Sequence, residues 1–362
     1  MSGTWGERLE LSIFGESHGE GIGIVINGMP AGYEIDFEDI KKDMKRRAPG
    51  TSRLSTPRAE KDMFQVLSGV FEGKITGAPI ASVIMNTNTK SKDYSNIQFN
   101  MRPGHGDYPG FIKYRGFNDY RGGGHFSGRI TAPLVFAGSL AKQILKSKGI
   151  TVSAHIDSVA GIEDEKFDSL NFTDELAENL RDKFFPVIDD EKGEKMQEKI
   201  LEAKEAGNSV GGTVEVIVSG VPVGLGNPFF DSAESKISSM VFSVPAVKGI
   251  EFGAGFEMAE MTGREANDEY YMDGDEVKTK SNNNGGITGG ITNGMPIVFR
   301  TVIKPTSSIS IKQETINVRE MKDTELEVHG RHDPCIVHRA VPVLEAAAAL
   351  SVLDLMLLEG EI

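Results

Sequence analysis

Between Arg102 and Arg129 the chain reads RPGHGDYPGFIKYRGFNDYRGGGHFSGR, a segment with eight glycines, four arginines, one lysine and two histidines. Almost nothing in it is aliphatic, so it is not core. Glycine lets the backbone approach a ligand closely or take positive φ. Arginine offers a forked set of donors that matches phosphate and carboxylate. His105 and His125 can exchange protons near neutral pH. The apolar run that follows, ITAPLVFAGSLAKQILKSKG, reads as a helix, so the segment feeds a helix N-terminus whose amides favour anions. These residue types in this order suit an anion-handling active site; the bland alternative is a glycine-rich surface loop.

Other candidates lie along the chain. His18 sits in the turn GESHGEG beside Glu16 and Ser17, between two strand-like runs, where a lone histidine is more often incidental than catalytic unless other candidates converge on it. Seven basic residues against two acidic ones fall between Lys41 and Glu60, with Lys45, Arg46 and Arg47 ending a helix pattern and Arg53 and Arg58 in TSRLSTPR. They suit either the negative end of a helix dipole or a second anion-binding loop. Lys304-Pro305-Thr306-Ser307-Ser308 offers one cation and three hydroxyls, either a phosphate cradle or a hydrogen-bonded turn. In GRHDPCIVHR, Arg331, His332, Asp333, His338 and Arg339 put a carboxylate among guanidinium and imidazole groups, a candidate base or relay.

Several chemistries are unsupported. The histidines lack paired metal-ligand spacing, no phosphate-binding GxxxxGK[ST] loop is present, and no GxGxxG opens a strand–helix unit. GESHG is not the GxSxG nucleophile elbow. Lys and Arg number 39 against 53 Asp and Glu, a net charge of −14, which argues against nucleic acid as a general partner. The single cysteine, Cys335, excludes internal disulfides and fits a reducing compartment. The N-terminal residues lack a signal-peptide pattern, no apolar run is read as long enough to cross a bilayer and no membrane partner is indicated, so a soluble cytoplasmic protein is expected.

The elements that must position these groups read as follows. Strands are expected at 9–14 and 22–27, a helix capped by Asp36 over DFEDIKKDMKRR, and a hairpin within 64–87. A helix over about 131–148 is followed by the strand GITVSAHIDSVAG, in which His155 alternates with apolar neighbours and reads as structural. Residues 163–208 read as surface helices with solvated charge. Strands at GGTVEVIVSG, KGIEFGAGF and PIVFRTVI flank a short helix, DSAESKISSMVFSV, and a polar stretch from 263 whose first half reads as a mobile loop. The Ala/Leu-rich C-terminus is a helix too apolar to stay exposed. ITGAPIASVI (75–84) faintly echoes ITNGMPIVFRTVI (291–303), as two related halves of a single domain would.

Taken together, FGESHG (14–19), RRAPGTSR (46–53), RPGHGDY (102–108), YRGGGHFSGR (120–129), GGITGGITNG (285–294), KPTSS (304–308) and GRHDPC (330–335) resemble the chorismate synthase family, in order and across nearly the whole chain. The resemblance implies an α+β fold, a β-α-β sandwich of antiparallel four-stranded sheets with helical layers, and a homotetramer. It implies 1,4-elimination of phosphate from 5-enolpyruvylshikimate 3-phosphate to give chorismate, with reduced FMN as cofactor. It assigns His18, His105 and Asp333 to catalysis: His18 protonating the reduced flavin, His105 assisting the leaving phosphate, Asp333 helping removal of the C6 proton. It assigns Arg47, Arg53 and Arg129 to substrate, the first two also matching nucleotide-contacting positions. FMN contacts fall on His125, Phe126, Ser127, Pro245, Ala246, Gly289, Lys304, Pro305, Thr306, Ser307, Ser308 and Arg331. Two of these depart from the family pattern. Phe126 lacks a serine's hydroxyl, and Pro245 removes a side-chain donor and an N–H. With no added reductase-like domain, the flavin is expected to be reduced by an external partner.

Overall fold

A computed structural model describes residues 3–50, 54, 62–87, 97–328 and 333–362. The apolar alternation of the N-terminal segment builds one sheet from β1 (Thr4–Trp5), β2 (Glu10–Gly15), β3 (Gly21–Asn27), β4 (Phe64–Ser68) and β7 (Ile80–Met85), with a small β5/β6 hairpin (Val70–Phe71, Lys74–Ile75) between the last two. Its order is β1-β2-β3-β7-β4, and every pair is antiparallel. Leu11, Ile22, Ile24, Ile26, Ile80 and Ile84 point inward and are buried, as period-two patterning requires. A second sheet, in the order β11-β16-β10-β8-β9, is made of β8 (Thr151–Val159), β9 (Ile162–Glu163), β10 (Gly212–Ser219), β11 (Val247–Phe252) and β16 (Ile297–Ile303). Each sheet therefore has four full strands, as expected, plus a two-residue strand at one edge.

Between the sheets lie α3 (Thr131–Lys146) and α8 (Val337–Glu359), after α1 (Phe37–Arg47) and α2 (Asp107–Lys113). Both α3 and α8 are buried over most of their length. They cross where Gly138 lies so close that a Cβ there would fall 2.2 Å from that of Ala346. By length and apolarity α8 could cross a bilayer, but 89% of its apolar window is buried inside the protein, so it is a core helix. The remaining helices are α4 (Asp174–Asp182), α5 (Asp190–Glu205), α6 (Ala233–Val241) and the single turn α7 (Gly263–Ala266).

Chain order repeats between the halves. β2-β3-α1-β4-β7-α3 and β8-β10-α6-β11-β16-α8 run in the same sequence, and the sheet orders β2-β3-β7-β4 and β8-β10-β16-β11 correspond. The faint echo near residues 75 and 291 runs into β7 and β16, the equivalent strands. The polar stretch from 263, expected to be a mobile loop, instead holds α7 and a β12/β13 hairpin (Tyr270–Asp273, Glu276–Thr279). Asp268 secures it by accepting from the N–H groups of Asn283 and Asn284, a local bond that composition does not reveal. Two further hairpins, β14/β15 (Ile287–Thr288, Ile291–Thr292) and β17/β18 (Gln313–Asn317, Lys322–Leu326), lie outside the main sheets.

Two buried ionic clusters fix the frame. Glu345 of α8 takes a bidentate pair of bonds from Arg46 at 2.7 Å and another from Lys142 at 2.7 Å. Asp43 accepts from Lys142 at 3.1 Å and from Arg181 of α4 at 3.0 Å. The cluster locks α1, α3, α4 and α8 together, so Arg181 is an internal ion-pair partner and not the solvated charge expected for this region.

The second cluster confirms His155 as structural. Fully buried, it donates from Nδ1 to Asp164 and from Nε2 to Glu215, both at 3.0 Å. Donation from both nitrogens makes it a cation. Burial alone would lower its pKa, but the two carboxylates raise it to about 9. A raised folded pKa means stabilisation that is complete below the ordinary imidazole value and disappears as pH rises through about 9. His155→Gln is therefore expected to cost about 3 kcal/mol at pH 6, because it leaves two buried carboxylates facing each other, and clearly less at pH 9.5. Thermal melts of the two proteins across that range check this.

Candidate active site

The two histidines singled out in the sequence meet across the triple glycine. His18 lies in the β2–β3 turn, buried, with Nδ1 3.3 Å from Ser17 Oγ. Gly122, Gly123 and Gly124 all have positive φ (59°, 82° and 54°). A Cβ on Gly122 would stand 2.2 Å from the His18 ring, and one on Gly123 would stand 3.3 Å from Cε1 and Nε2 of His105. Only glycine can press backbone onto both imidazoles in this conformation. Gly122→Ala is expected to displace His18 and lower turnover at least ~10-fold, since small misplacements of a reacting group cost heavily. A kinetic comparison with Gly128→Ala, where a Cβ meets nothing within 4 Å, separates this from a general glycine effect.

His105 is anchored from behind. Its Nδ1 lies 2.7 Å from Asp107 Oδ1. Arg102 grips the same carboxylate, donating from Nε at 2.7 Å and from Nη2 at 2.8 Å. Burial alone would raise the pKa of Asp107, but the bonds from Arg102 and His105 hold it far below the usual carboxylate range. His105 itself is held below its ordinary value, chiefly by burial and further by Arg102, against the opposing pull of Asp107.

Arg47 and Arg129, the two described substrate candidates, converge on a carboxylate that sequence reasoning missed. Asp62 accepts from Arg47 Nη1 and from Arg129 Nη1, each at 2.5 Å. Its side chain is fully buried, and the residue has φ +44°, unusual outside glycine. The arginines overcome the burial penalty and keep its pKa low. Arg47 Nε also donates to Thr131 Oγ1 at 3.2 Å, and Arg129 Nε to Asn86 Oδ1 at 2.7 Å. Asn86 in turn donates to the carbonyls of Glu16 and Gly19, both at 3.0 Å, which brace the turn bearing His18.

Asp333 lies on the far side. Arg339 Nη1 donates to its carboxylate, while Arg339 Nε donates to the Arg47 carbonyl at 3.0 Å. Thr306 Oγ1 donates to the Asp333 carbonyl at 2.8 Å, Ser307 Oγ to the Gly104 carbonyl at 2.8 Å, and Arg102 Nη1 to Ser308 Oγ at 3.1 Å. These bonds trace a circuit. It runs from the His18 turn through Asn86, Arg129, Asp62, Arg47, Arg339, Asp333, the 304–308 loop and Gly104 to His105, and the ends approach each other where Gly123 and Gly122 lie against the two imidazoles.

The 304–308 loop and the Pro245-Ala246 turn lie on or beside this circuit. Lys304 Nζ donates to Ser307 Oγ at 2.6 Å, and its pKa is lowered by burial and by Lys248. Lys304 N–H donates to the Ala246 carbonyl at 3.0 Å, which brings the Pro245-Ala246 turn to the loop. His125 is exposed and donates from Nδ1 to the Gly15 carbonyl at 2.9 Å, and Ser127 caps the short turn at Gly128–Ile130. The Phe126 ring packs on α2, where a Cβ at Gly110 would lie 2.6 Å from it. Gly289 sits on the β14/β15 turn with open space where a side chain would project, and that hairpin bonds to Leu225 and Ala233. His338 separates from Asp333: it is buried against Phe184 and Phe185, and burial lowers its pKa to about 4. Arg53, Arg331 and His332 lie outside the described residues, as does most of TSRLSTPR. Among the described residues no group of His, Cys, Asp or Glu is placed to hold a metal ion.

This arrangement can bind a small polyanion among arginines and a lysine while presenting two imidazoles and a carboxylate for proton movement. Comparison with known proteins points the same way. The profile of the family described as chorismate synthase matches residues 9–357. A chorismate synthase of Methanothermobacter thermautotrophicus is 45% identical over 358 residues, covering 98% of this chain and 94% of that protein. One from Pyrococcus abyssi is 47% identical over 352 residues, covering 97% of each. A crystal structure of chorismate synthase aligns with TM-score 0.77 at 31% identity, over 98% of this chain and 93% of the other.

Proposed function

The chain belongs to the chorismate synthase family, and from that premise we propose that it eliminates phosphate from 5-enolpyruvylshikimate 3-phosphate to give chorismate, with reduced FMN bound beside the substrate. The observation that supports this reading is the chain of contacts that links His18, His105, Asp333 and the Arg47–Arg129 pair. In the reaction the C3–O bond breaks, the C6–H bond breaks, and a conjugated diene forms as inorganic phosphate departs.

The donor set suits FMN. Lys304 and the hydroxyls of Thr306, Ser307 and Ser308 fit a phosphate and a polyhydroxylated chain, the open side of Gly289 leaves room for close approach, and Phe126 is part-exposed where it packs on α2. His125, Ser127, Pro245, Ala246, Pro305 and Arg331 complete the proposed contacts. Phe126 would serve through its backbone or its ring face. When bound, reduced FMN would supply electron density to the allylic system from which phosphate departs, with no net redox change.

The chain's own groups do the rest. Arg47 and Arg129, with Arg53, hold the substrate's anionic groups in a fixed field, which is worth most where water is excluded. His105 offers Nε2 to the leaving phosphate. His18, held by Gly122 and Ser17, carries a proton toward the flavin, and Asp333, kept in place by Arg339, faces the C6 proton. An anaerobic assay tests this: substrate is supplied with or without chemically reduced FMN, and phosphate and chorismate are followed. Turnover only with the reduced flavin is expected. Turnover without flavin would indicate a flavin-independent lyase, and tight FMN binding without turnover a binding module.

We also propose a homotetramer acting in the cytoplasm. The 163–190 segment covers the outer face of the second sheet, packing Phe167, Leu176 and Leu180 against Ile217 and Val298. The first sheet leaves Phe14, Leu67 and Met85 exposed, apolar surface that another copy would cover. Sedimentation at micromolar concentration should give four chain masses, and Phe14→Glu a smaller species; a monomeric parent protein would contradict the assignment.

A further inference from the structure

We propose that Asp107 is a positioning residue that fixes the proton of His105 on Nδ1 and so reserves Nε2 for the substrate; this rests on the elimination reading above. The geometry favours one of the two tautomers. Asp107 is the first residue of α2, and its carboxylate is nearly enclosed. Three donations reach it from Arg102: the backbone N–H at 3.2 Å, Nε at 2.7 Å and Nη2 at 2.8 Å. A carboxylate so held is ionised and can only accept. The imidazole nitrogen 2.7 Å from it must therefore carry a hydrogen. Arg102 Nη2 lies 3.2 Å from Nδ1 and has a second hydrogen besides the one it gives to Asp107, but the ionised Asp107 oxygen is the nearer neighbour at 2.7 Å, and a bare Nδ1 there would set two lone pairs against each other.

With Nδ1 committed, only Nε2 can meet a ligand, and Gly123 lies along that edge of the ring without a Cβ to block it. The lone pair of neutral His105 thus faces the position of the leaving phosphate. An arriving phosphate dianion favours protonation of Nε2, and the resulting N–H can donate to the departing oxygen. Arg102 links this device to the cofactor loop, since its Nη1 holds Ser308.

Nitrogen-15 NMR of the full-length, ligand-free protein labelled at histidine tests the tautomer directly and does not depend on the reaction being correct. The Nδ1–H form is expected for His105, with an Nε2 shift characteristic of a bare lone pair; an Nε2–H tautomer would overturn the proposal. Kinetics provide the second arm. Asp107→Asn should lower kcat about 10- to 100-fold with little change in KM, and the double variant with His105→Ala should be no slower than His105→Ala alone. Multiplicative losses would show that Asp107 acts elsewhere. A Nδ1–H tautomer in a protein that does not eliminate phosphate would uphold the positioning and sink the reaction.

Discussion

His105→Ala is expected to slow elimination by about 100-fold, and by no less than tenfold, while FMN affinity changes by less than about threefold. The asymmetry follows from where the ring sits. His105 contacts Asp107, Arg102 and Gly123, the side of the circuit proposed to meet the leaving group, whereas the proposed flavin contacts lie on the 304–308 loop and the 125–127 segment. The pH dependence carries a sign. Burial and Arg102 hold the pKa of His105 below the ordinary imidazole value in the ligand-free protein. If the protonated ring assists departure, kcat/KM, which reports the free enzyme, should decline as pH rises past that lowered value. The bound polyanion stabilises the protonated ring, so kcat should hold its plateau to higher pH. In the alanine variant this limb should vanish from both profiles. Retention of full rate, or of an unchanged limb, would remove His105 from the chemistry.

Asp62→Ala should have the largest effect on both binding and stability. Its carboxylate is the shared counter-ion of Arg47 and Arg129, and all three side chains are almost wholly buried. Removing one member of a buried ionic group leaves uncompensated charge, at a cost of about 3–5 kcal/mol. Because the folded pKa of Asp62 is depressed, its contribution is present above the ordinary aspartate value and is lost as pH falls through the lower folded one. The stability gap between the parent protein and Asp62→Ala should therefore be widest at neutral pH and narrow on acidification. Asp62→Asn keeps the shape and one acceptor but not the charge. It should fold, raise KM for the phosphorylated substrate at least ~10-fold and leave kcat less affected, because the arginine forks lose their common anchor. Denaturant titrations and steady-state kinetics of both variants read these effects.

The fold was legible where patterning and local chemistry agree. Asp36 caps α1 through the N–H groups of Glu38 and Asp39, and its basic last turn was visible in the sequence. The strands around the His18 turn follow from alternating isoleucines. The triple glycine was legible as a close-approach element, and the structure supplies what it approaches. What sequence spacing could not separate was adjacent arginines with different duties. Arg46 is bound to Glu345 in the frame, whereas Arg47 turns to Asp62 and the site. That depends on which face of α1 meets α8, a tertiary fact. Asp62 gave no local signal, because its partners lie 15 and 67 residues away in sequence. Asp107, two residues after His105, was within reach of sequence reasoning: an acidic residue so close to a glycine-flanked histidine is a natural candidate for orienting it. Arg102 opened the segment, yet its use as the anchor of Asp107 needed the turn geometry. The 270–279 hairpin was missed because polar, glycine-bearing composition resembles a loop, while Asp268 supplies the local bonds that order it.

In the proposed site two imidazoles, an arginine pair and a reduced flavin share one space. The most direct measurement is an anaerobic crystal structure of the chain with FMN and the phosphorylated substrate or an unreactive analogue. The account predicts the substrate phosphate within hydrogen-bond distance of His105 Nε2, a carboxylate on the Arg47–Arg129 pair, and the flavin ring between the 125–127 segment and the 304–308 loop. A phosphate bound away from His105, or a flavin bound outside the circuit, would contradict it.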